Sequence, residues 1–379
     1  MNLILFGAGT YVLGKDEKNM APMGSAIVES FNQGLVKKLF IVTNNKDTAI
    51  NAAKKFNYFC GEGFAKSFND HDLGEIESNN TCAIISVPDS LHYKILKECG
   101  EKGINALVVK PFVERVNQAI EIRDLFKSKK LLGCVEFHKR FDEANRLIKQ
   151  KLNNSTNKIS RIFVDYSQPK AMPLINFKKW TESSNIFQYL GVHYVDLIAW
   201  MTGFQPYQCT VHPSGNMLSC EGVETPDNID VMIKWKKEKN KFNSFHMTSW
   251  AESNRQPFIS RQKIEILGDK FRIDSDQSSR GFISQSDEMY EIINPYFCQD
   301  IGLNKTNLNE YKSKFSGYGV TSVLVFLKYS NLLLQNKIDL DEIFAESDLC
   351  SFNQAILSTK VIQSVNKCIS EGLESIEIN

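Results

Sequence analysis

Short apolar runs alternate with helix-like stretches through about the first third of the chain, and this alternation leaves few folds open. The apolar runs are residues 3–6, 39–43, 82–87, 106–109 and 131–137, and the helix-like stretches between them are 24–33, 47–56, 90–102 and 116–129. Strand, helix, strand in repetition predicts a parallel sheet covered by helices on both faces. Right-handed crossovers then give a doubly wound α/β domain.

The pattern changes after about residue 136. An amphipathic stretch at 142–152 is followed by extended segments at 159–167, 208–212, 229–235, 243–251, 262–267 and 270–275. In the third of these, Ile229, Val231, Ile233 and Trp235 alternate with Asp230, Met232 and Lys234. That is the period of an antiparallel strand with one covered face. Long helices are expected at 320–335 and 351–370. A chain of 379 residues exceeds what one core usually organises. The expected division is therefore a doubly wound, Rossmann-type domain at 1–137 and an α+β domain with an open, mostly antiparallel sheet at 138–379.

Charge excludes some classes of partner. Forty-five basic residues nearly balance 44 acidic ones, for a net charge of +1. That leaves no footprint for nucleic acid or an anionic membrane surface. Lys234, Lys236, Lys237, Lys239 and Lys241 cluster between two strand-like runs and read as a solvated hairpin end. The nine cysteines include no C-x-x-C pair, so neither a metal site nor a redox dithiol is expected. Free thiols in a reducing, cytoplasmic setting fit them. Residues 1–7 lack a basic leader region and are expected to form a buried strand rather than a secretion signal. No apolar run approaches transmembrane length.

Four places along the chain carry candidate chemistry. Gly7 and Gly9 follow the first apolar run, where glycines let a backbone approach a pyrophosphate, although Val12 stands where a third glycine is usual. The turn is longer than the standard one, with a polar stretch at 14–19. The second run ends in Asn44, Asn45 and Lys46 with no carboxylate, which leaves both NAD and NADP open, and Asp47 is expected to cap the next helix. Pro88 and His92 follow the third strand; a histidine there can touch a ligand or pack locally. Lys110 ends a buried strand and precedes Pro111, which restricts it to an extended conformation at the ligand-binding edge of such a sheet.

These motifs, in this order, resemble the Gfo/Idh/MocA family of dinucleotide-dependent oxidoreductases, typified by glucose–fructose oxidoreductase and inositol dehydrogenase. Pro88, His92 and Lys110-Pro111 match its middle, Arg140 falls where the family shows an arginine, and Gly191, His193 and Asp196 match its Gly-x-His-x-x-Asp helix. Two departures stand out: Val109 replaces the glutamate of Glu-Lys-Pro, and Tyr189, after Gln188, replaces an aspartate four residues before the histidine.

The resemblance implies a dinucleotide held by Gly7, Gly9, Thr10, Tyr11, Asn44, Asn45, Pro88, His92 and Lys110. It implies a sugar-like or cyclitol substrate met by Lys110, Arg140, Tyr189 and His193, with Lys110, His193 and Tyr189 as the catalytic candidates. It also implies a homodimer or homotetramer joined through an outer sheet face, to which Trp235 and Trp250 are expected to contribute. A dinucleotide-binding regulator without turnover is the alternative from another class, and a structural subunit without ligand a third.

Overall fold

The computed structural model describes residues 1–15, 19–68, 78–153, 158–181, 183–288, 290–304, 311–312 and 314–379. The chain forms two compact units: Met1–Asp142 with Tyr296–Ile356, and Glu143–Pro295 with Leu357–Asn379. A single boundary after residue 137 does not describe this division. The chain returns, and residues 296–356, expected in the second domain, belong to the first unit. The reason is burial: Val320, Val323, Phe326 and Leu327 of the helix Tyr318–Leu334 pack into the same core as Leu3, Leu5, Met23 and Ile27.

The first unit is built on strands β1 (Asn2–Phe6), β2 (Lys38–Val42), β3 (Ala65–Phe68), β4 (Thr81–Ile85), β5 (Asn105–Val109) and β6 (Gly133–Glu136). Their spatial order is β6, β5, β4, β1, β2, β3, all parallel, with Cys350–Ser351 antiparallel on the β6 edge. This is the doubly wound order, whose direction reverses between β1 and β4. Nearly every residue of β1, β4 and β5 is buried, which explains their unbroken apolar runs. Helices α1 (Thr10–Leu13), α2 (Pro22–Asn32), α3 (Lys46–Cys60), α4 (His92–Glu101) and α5 (Val116–Ser128) lie between the strands in sequence.

The second unit holds a seven-stranded sheet. Its strands are β7 (Ile159–Pro169), β8 (Gln205–Ser214), β9 (Asn228–Lys237), β10 (Asn240–Glu252), β11 (Arg261–Gly268), β12 (Arg272–Asp276) and the terminal Ser375–Glu377. All neighbours are antiparallel except β7 with β10. The lysine cluster lies at the β9–β10 hairpin, as its polarity predicts. Alternate residues of β9 and β10 turn inward, and Trp235 and Trp250 are among them at 0% and 1% exposure. Neither tryptophan contributes to an outer face, a correction to the expectation: the period of two sets Trp235 on the covered side with Ile229, Val231 and Ile233, and Trp250 joins the same core from β10. The opposite face carries Phe245, paired in register with Met232 and Phe163 and stacked on the latter at 5.2 Å.

All nine cysteines are free thiols. Among the described residues no helix is long and apolar enough to cross a membrane.

Candidate active site

The carboxyl ends of β1 and β4 flank the point where strand order reverses, the place at which such sheets bind ligands. Gly7 and Gly9 both follow β1, but for different reasons. Gly7 has φ +88°, and a Cβ there would stand 2.1 Å from the carbonyl oxygen of Ser86. Its need for glycine comes from the fold itself. Gly9 is exposed, has ordinary φ, and an added Cβ would meet nothing within 4 Å. Nothing among the described residues requires glycine there, so the open approach suits a phosphate group coming close to the backbone. Thr10 is exposed beside it.

The task of the absent third glycine is met elsewhere. Gly24 on α2 lets the carbonyl oxygen of Val12 approach to within 2.2 Å of where a Cβ would be, so the longer turn seats its helix through a later glycine. Lys55 of α3 reaches back to the carbonyl oxygens of Leu13 at 2.6 Å and Asn19 at 2.8 Å, holding both ends of that turn. Within the turn, residues 16–18 lie outside the described residues.

At the tip of β2, Asn45 caps α3 by accepting from the backbone N–H of Thr48 at 3.1 Å. The expected cap, Asp47, lies inside the helix, because an asparagine just before the first helical residue reaches the orphan N–H groups better. Asn44 remains exposed at the strand tip.

His92 is fully buried, with Nε2 3.0 Å from the carbonyl oxygen of Val87, and Nδ1 2.9 Å and 3.1 Å from those of Pro111 and Phe112. Burial lowers its pKa, against the charge of Asp89 and these carbonyls. A neutral imidazole has one N–H and donates on one side at a time. The side chain thus ties the end of β4 to the segment after β5. This is a holding role, the local packing that the sequence left open beside a ligand contact, and Pro88 is exposed.

Lys110 follows β5 directly, and its peptide bond to Pro111 is cis. It is partly buried, and desolvation brings its amine down to about 7, opposed by the negative charges of Asp89 and Glu136. A lysine that titrates near neutrality can gain or lose a proton at little cost. Arg140, 3% exposed, directs its guanidinium to Gln354 Oε1 at 3.1 Å and Cys350 Sγ at 3.2 Å. Those contacts hold the edge segment 350–354 of the first unit.

Sequence reasoning passed over the group next to Lys110. Glu136 ends β6, is 3% exposed, and accepts from the Tyr11 hydroxyl at 3.3 Å and the Ser322 hydroxyl at 2.8 Å. His138 Nδ1 lies 3.3 Å from both Glu136 Oε2 and the Tyr11 oxygen. Tyr11, expected at the dinucleotide, therefore turns its hydroxyl into this cluster, where burial and then Glu136 raise its pKa well above the usual value.

Tyr189 and His193 belong to the second unit. His193 is the second residue of the helix Val192–Thr202 and 2% exposed, with its ring 6.2 Å from that of Tyr166. Asp196 is buried on the same helix, and Gly203 ends it in the left-handed conformation. Gly191 is required because a Cβ there would stand 2.5 Å from the Phe187 ring. Tyr189 sits in the π-helical turn Phe187–Gly191, among Trp180 at 5.0 Å, Phe177 at 6.0 Å and Trp250 at 6.3 Å. Burial pushes its hydroxyl up to about 12.

Residues 20–137 match the model of an oxidoreductase family with an NAD-binding Rossmann fold, the Gfo/Idh/MocA family. Over those residues the chain is similar to this oxidoreductase family. The match starts after the glycine turn and takes in Lys110 and Glu136. An uncharacterized oxidoreductase of Schizosaccharomyces pombe is 27% identical over 124 residues, 32% of this chain and 33% of that protein, so the likeness spans about a third of its length. The fold alone is similar over the whole chain. The scyllo-inositol dehydrogenase of Lactobacillus casei, solved with NAD(H) and scyllo-inositol, aligns with 100% of this chain and 98% of its own at a TM-score of 0.69 and 14% identity. A myo-inositol dehydrogenase of Corynebacterium glutamicum aligns with 100% and 99% at 0.69 and 16%.

Proposed function

We propose that the protein transfers hydride between a nicotinamide dinucleotide and a CH–OH carbon of a cyclitol, a sugar or a sugar derivative, nucleotide-linked ones included. The observation that carries the reading is Lys110: a partly buried lysine, titrating near 7, at the carboxyl edge of the sheet of an NAD-binding family. Gly9 and Thr10, with Asn44 at the tip of β2, would hold the dinucleotide. When bound, it supplies the hydride chemistry. Lys110 then holds the substrate oxygen, and His193 takes or gives the hydroxyl proton, a role carried over from the family's Gly-x-His helix. Assembly as a homodimer or homotetramer belongs to the same proposal and rests on the resemblance.

Nicotinamide absorbance with a panel of cyclitols and sugars tests the reading. Lys110→Met and His193→Ala are each expected to lower turnover by at least about 100-fold with dinucleotide affinity nearly intact. Full turnover in His193→Ala would overturn the assignment. A regulator that binds dinucleotide without turnover is the second reading, favoured by Val109 and Tyr189 in place of the family's acids; binding with no absorbance change across the panel would select it.

A further inference from the structure

We propose that Glu136 is a positioning residue for the dinucleotide turn, which it ties down from the far side of the sheet through the Tyr11 hydroxyl. The inference rests on the reading of Gly9 and Thr10 as the place of the dinucleotide's pyrophosphate. Tyr11 stands on α1, which follows β1, whereas Glu136 ends β6. Strands β4 and β5 lie between those two in the sheet. Three strand gaps of about 4.8 Å set the ends of β1 and β6 roughly 14 Å apart. The hydrogen bond from Tyr11 to Glu136 Oε2, at 3.3 Å, therefore joins two side chains that reach toward each other across the carboxyl edge.

The turn has need of such a tie. α1 is four residues long, too short to hold itself by its own hydrogen bonds. A Cβ added at Gly9 would meet nothing within 4 Å, so no packing fixes the backbone at that point. On one side Lys55 holds the carbonyl oxygens of Leu13 and Asn19. On the other, Tyr11 fixes the turn to the end of β6. The anchor is itself held in place. Glu136 Oε1 accepts from the Ser322 hydroxyl at 2.8 Å, and His138 Nδ1 lies 3.3 Å from Oε2. His138 stands in turn between Phe297 at 5.2 Å and Tyr318 at 5.8 Å. Burial and the carboxylate keep the Tyr11 hydroxyl protonated, and so a donor. A backbone already held loses less freedom when a ligand binds, so the tie acts on affinity for a ligand that touches Gly9 and Thr10.

Calorimetry on the full chain with NAD and with ADP-ribose, and ligand-observed NMR with adenosine, test the tie. NAD and ADP-ribose carry the pyrophosphate, and adenosine does not. Tyr11→Phe keeps the ring and loses the hydroxyl. It is expected to weaken NAD and ADP-ribose by about tenfold and adenosine by less than about twofold. Glu136→Met, of similar volume and without an acceptor, should give the same pattern, while Glu136→Gln keeps an acceptor and should lie nearer the wild type. Tyr11→Phe combined with Glu136→Met should lose no more than the worse single variant, because both remove one contact. Additive losses overturn the proposal, and so does unchanged NAD affinity in a folded Tyr11→Phe protein. Adenosine weakened as much as NAD overturns it too, since the whole unit would then have loosened. No sugar or cyclitol enters these measurements. The expected losses without turnover on any such substrate would leave the inference standing and remove the proposed hydride transfer; a wild type that binds neither NAD nor ADP-ribose would remove both.

Discussion

Each unit holds a base whose pKa burial lowers, and the two end at different places relative to working pH. In the first unit Lys110 stands at the edge of the parallel sheet with Asp89 and Glu136 acting on it, and it titrates near 7 although burial works against its charge. In the second unit His246 lies on the covered face of β10, 1% exposed. Its Nε2 is 2.8 Å from the Ser244 hydroxyl, which accepts from Trp235 Nε1 at 2.7 Å, and Phe187 meets the ring edge-on at 5.9 Å. Among the described residues no carboxylate acts on it, and burial alone takes its pKa down to about 3. Burial lowers both bases by a similar amount, from 10.5 to about 7 and from 6.5 to about 3; the lysine ends near working pH because its ordinary value is the higher one, with Asp89 and Glu136 opposing a further fall. A buried histidine is therefore weak evidence of a site, and a buried lysine with acids beside it is stronger.

The largest expected effect tests the silent half of this contrast. The folded pKa of His246 lies below its ordinary value of 6.5, so the unfolded chain takes up the proton first. Its contribution to stability is complete above 6.5 and is lost as pH falls toward 3. At about 1.4 kcal/mol per unit, roughly 3 kcal/mol should be gone by about pH 4.5. His246→Gln can still hydrogen-bond Ser244 and does not titrate, so its urea midpoints should fall less steeply between about pH 7 and pH 4.5. Tryptophan fluorescence reads this unit alone, because Trp180, Trp200, Trp235 and Trp250 all belong to it. Parallel acid slopes in the two proteins would mean that His246 is not the neutral base described.

The next effect concerns the open edge of the first unit. Gly9→Val should weaken NAD binding by about 100-fold, near 2.7 kcal/mol, while the melting temperature stays put, since the added side chain enters open space. Gly7→Ala is the contrast: its Cβ would run into the backbone at Ser86, and the loss should appear in folding. Calorimetry with NAD beside a thermal melt separates them. Intact binding in Gly9→Val would take the dinucleotide away from this turn.

What was legible in the sequence follows the same physics. β1, β2, β4, β5 and β6 announce themselves because burial on both faces demands apolar runs. β3 was missed: in Ala65-Lys66-Ser67-Phe68 just one residue is buried, as an edge strand allows. α1 is four residues long and too short to show a period. The return of residues 296–356 to the first unit depends on tertiary packing, which a helix's own pattern does not record. Lys110 could be singled out because a strand, a lysine and a proline are consecutive. Glu136 could not, since it reads as the end of one more strand until the β5–β6 register sets it beside Val109. The two tryptophans were legible as strand residues, but which side of the sheet they faced was not.

The smallest effect sharpens the comparison at Tyr189, where the family resemblance leads one to look for an acid. The hydroxyl belongs to a side chain enclosed by Phe177, Trp180 and Trp250, and burial puts its titration at about 12, far above neutrality. By the rule drawn from His246, a group shifted by burial alone is held in one protonation state and makes a poor relay. Tyr189→Phe keeps the ring and removes that hydroxyl. Turnover is therefore expected to fall by less than about tenfold, or about 1.4 kcal/mol, with the shape of the pH–rate profile unchanged. Single-turnover rates across pH decide it. A loss of about 100-fold would place the tyrosine oxygen where the family has its aspartate, and would make Tyr189 the exception to the contrast between the two units.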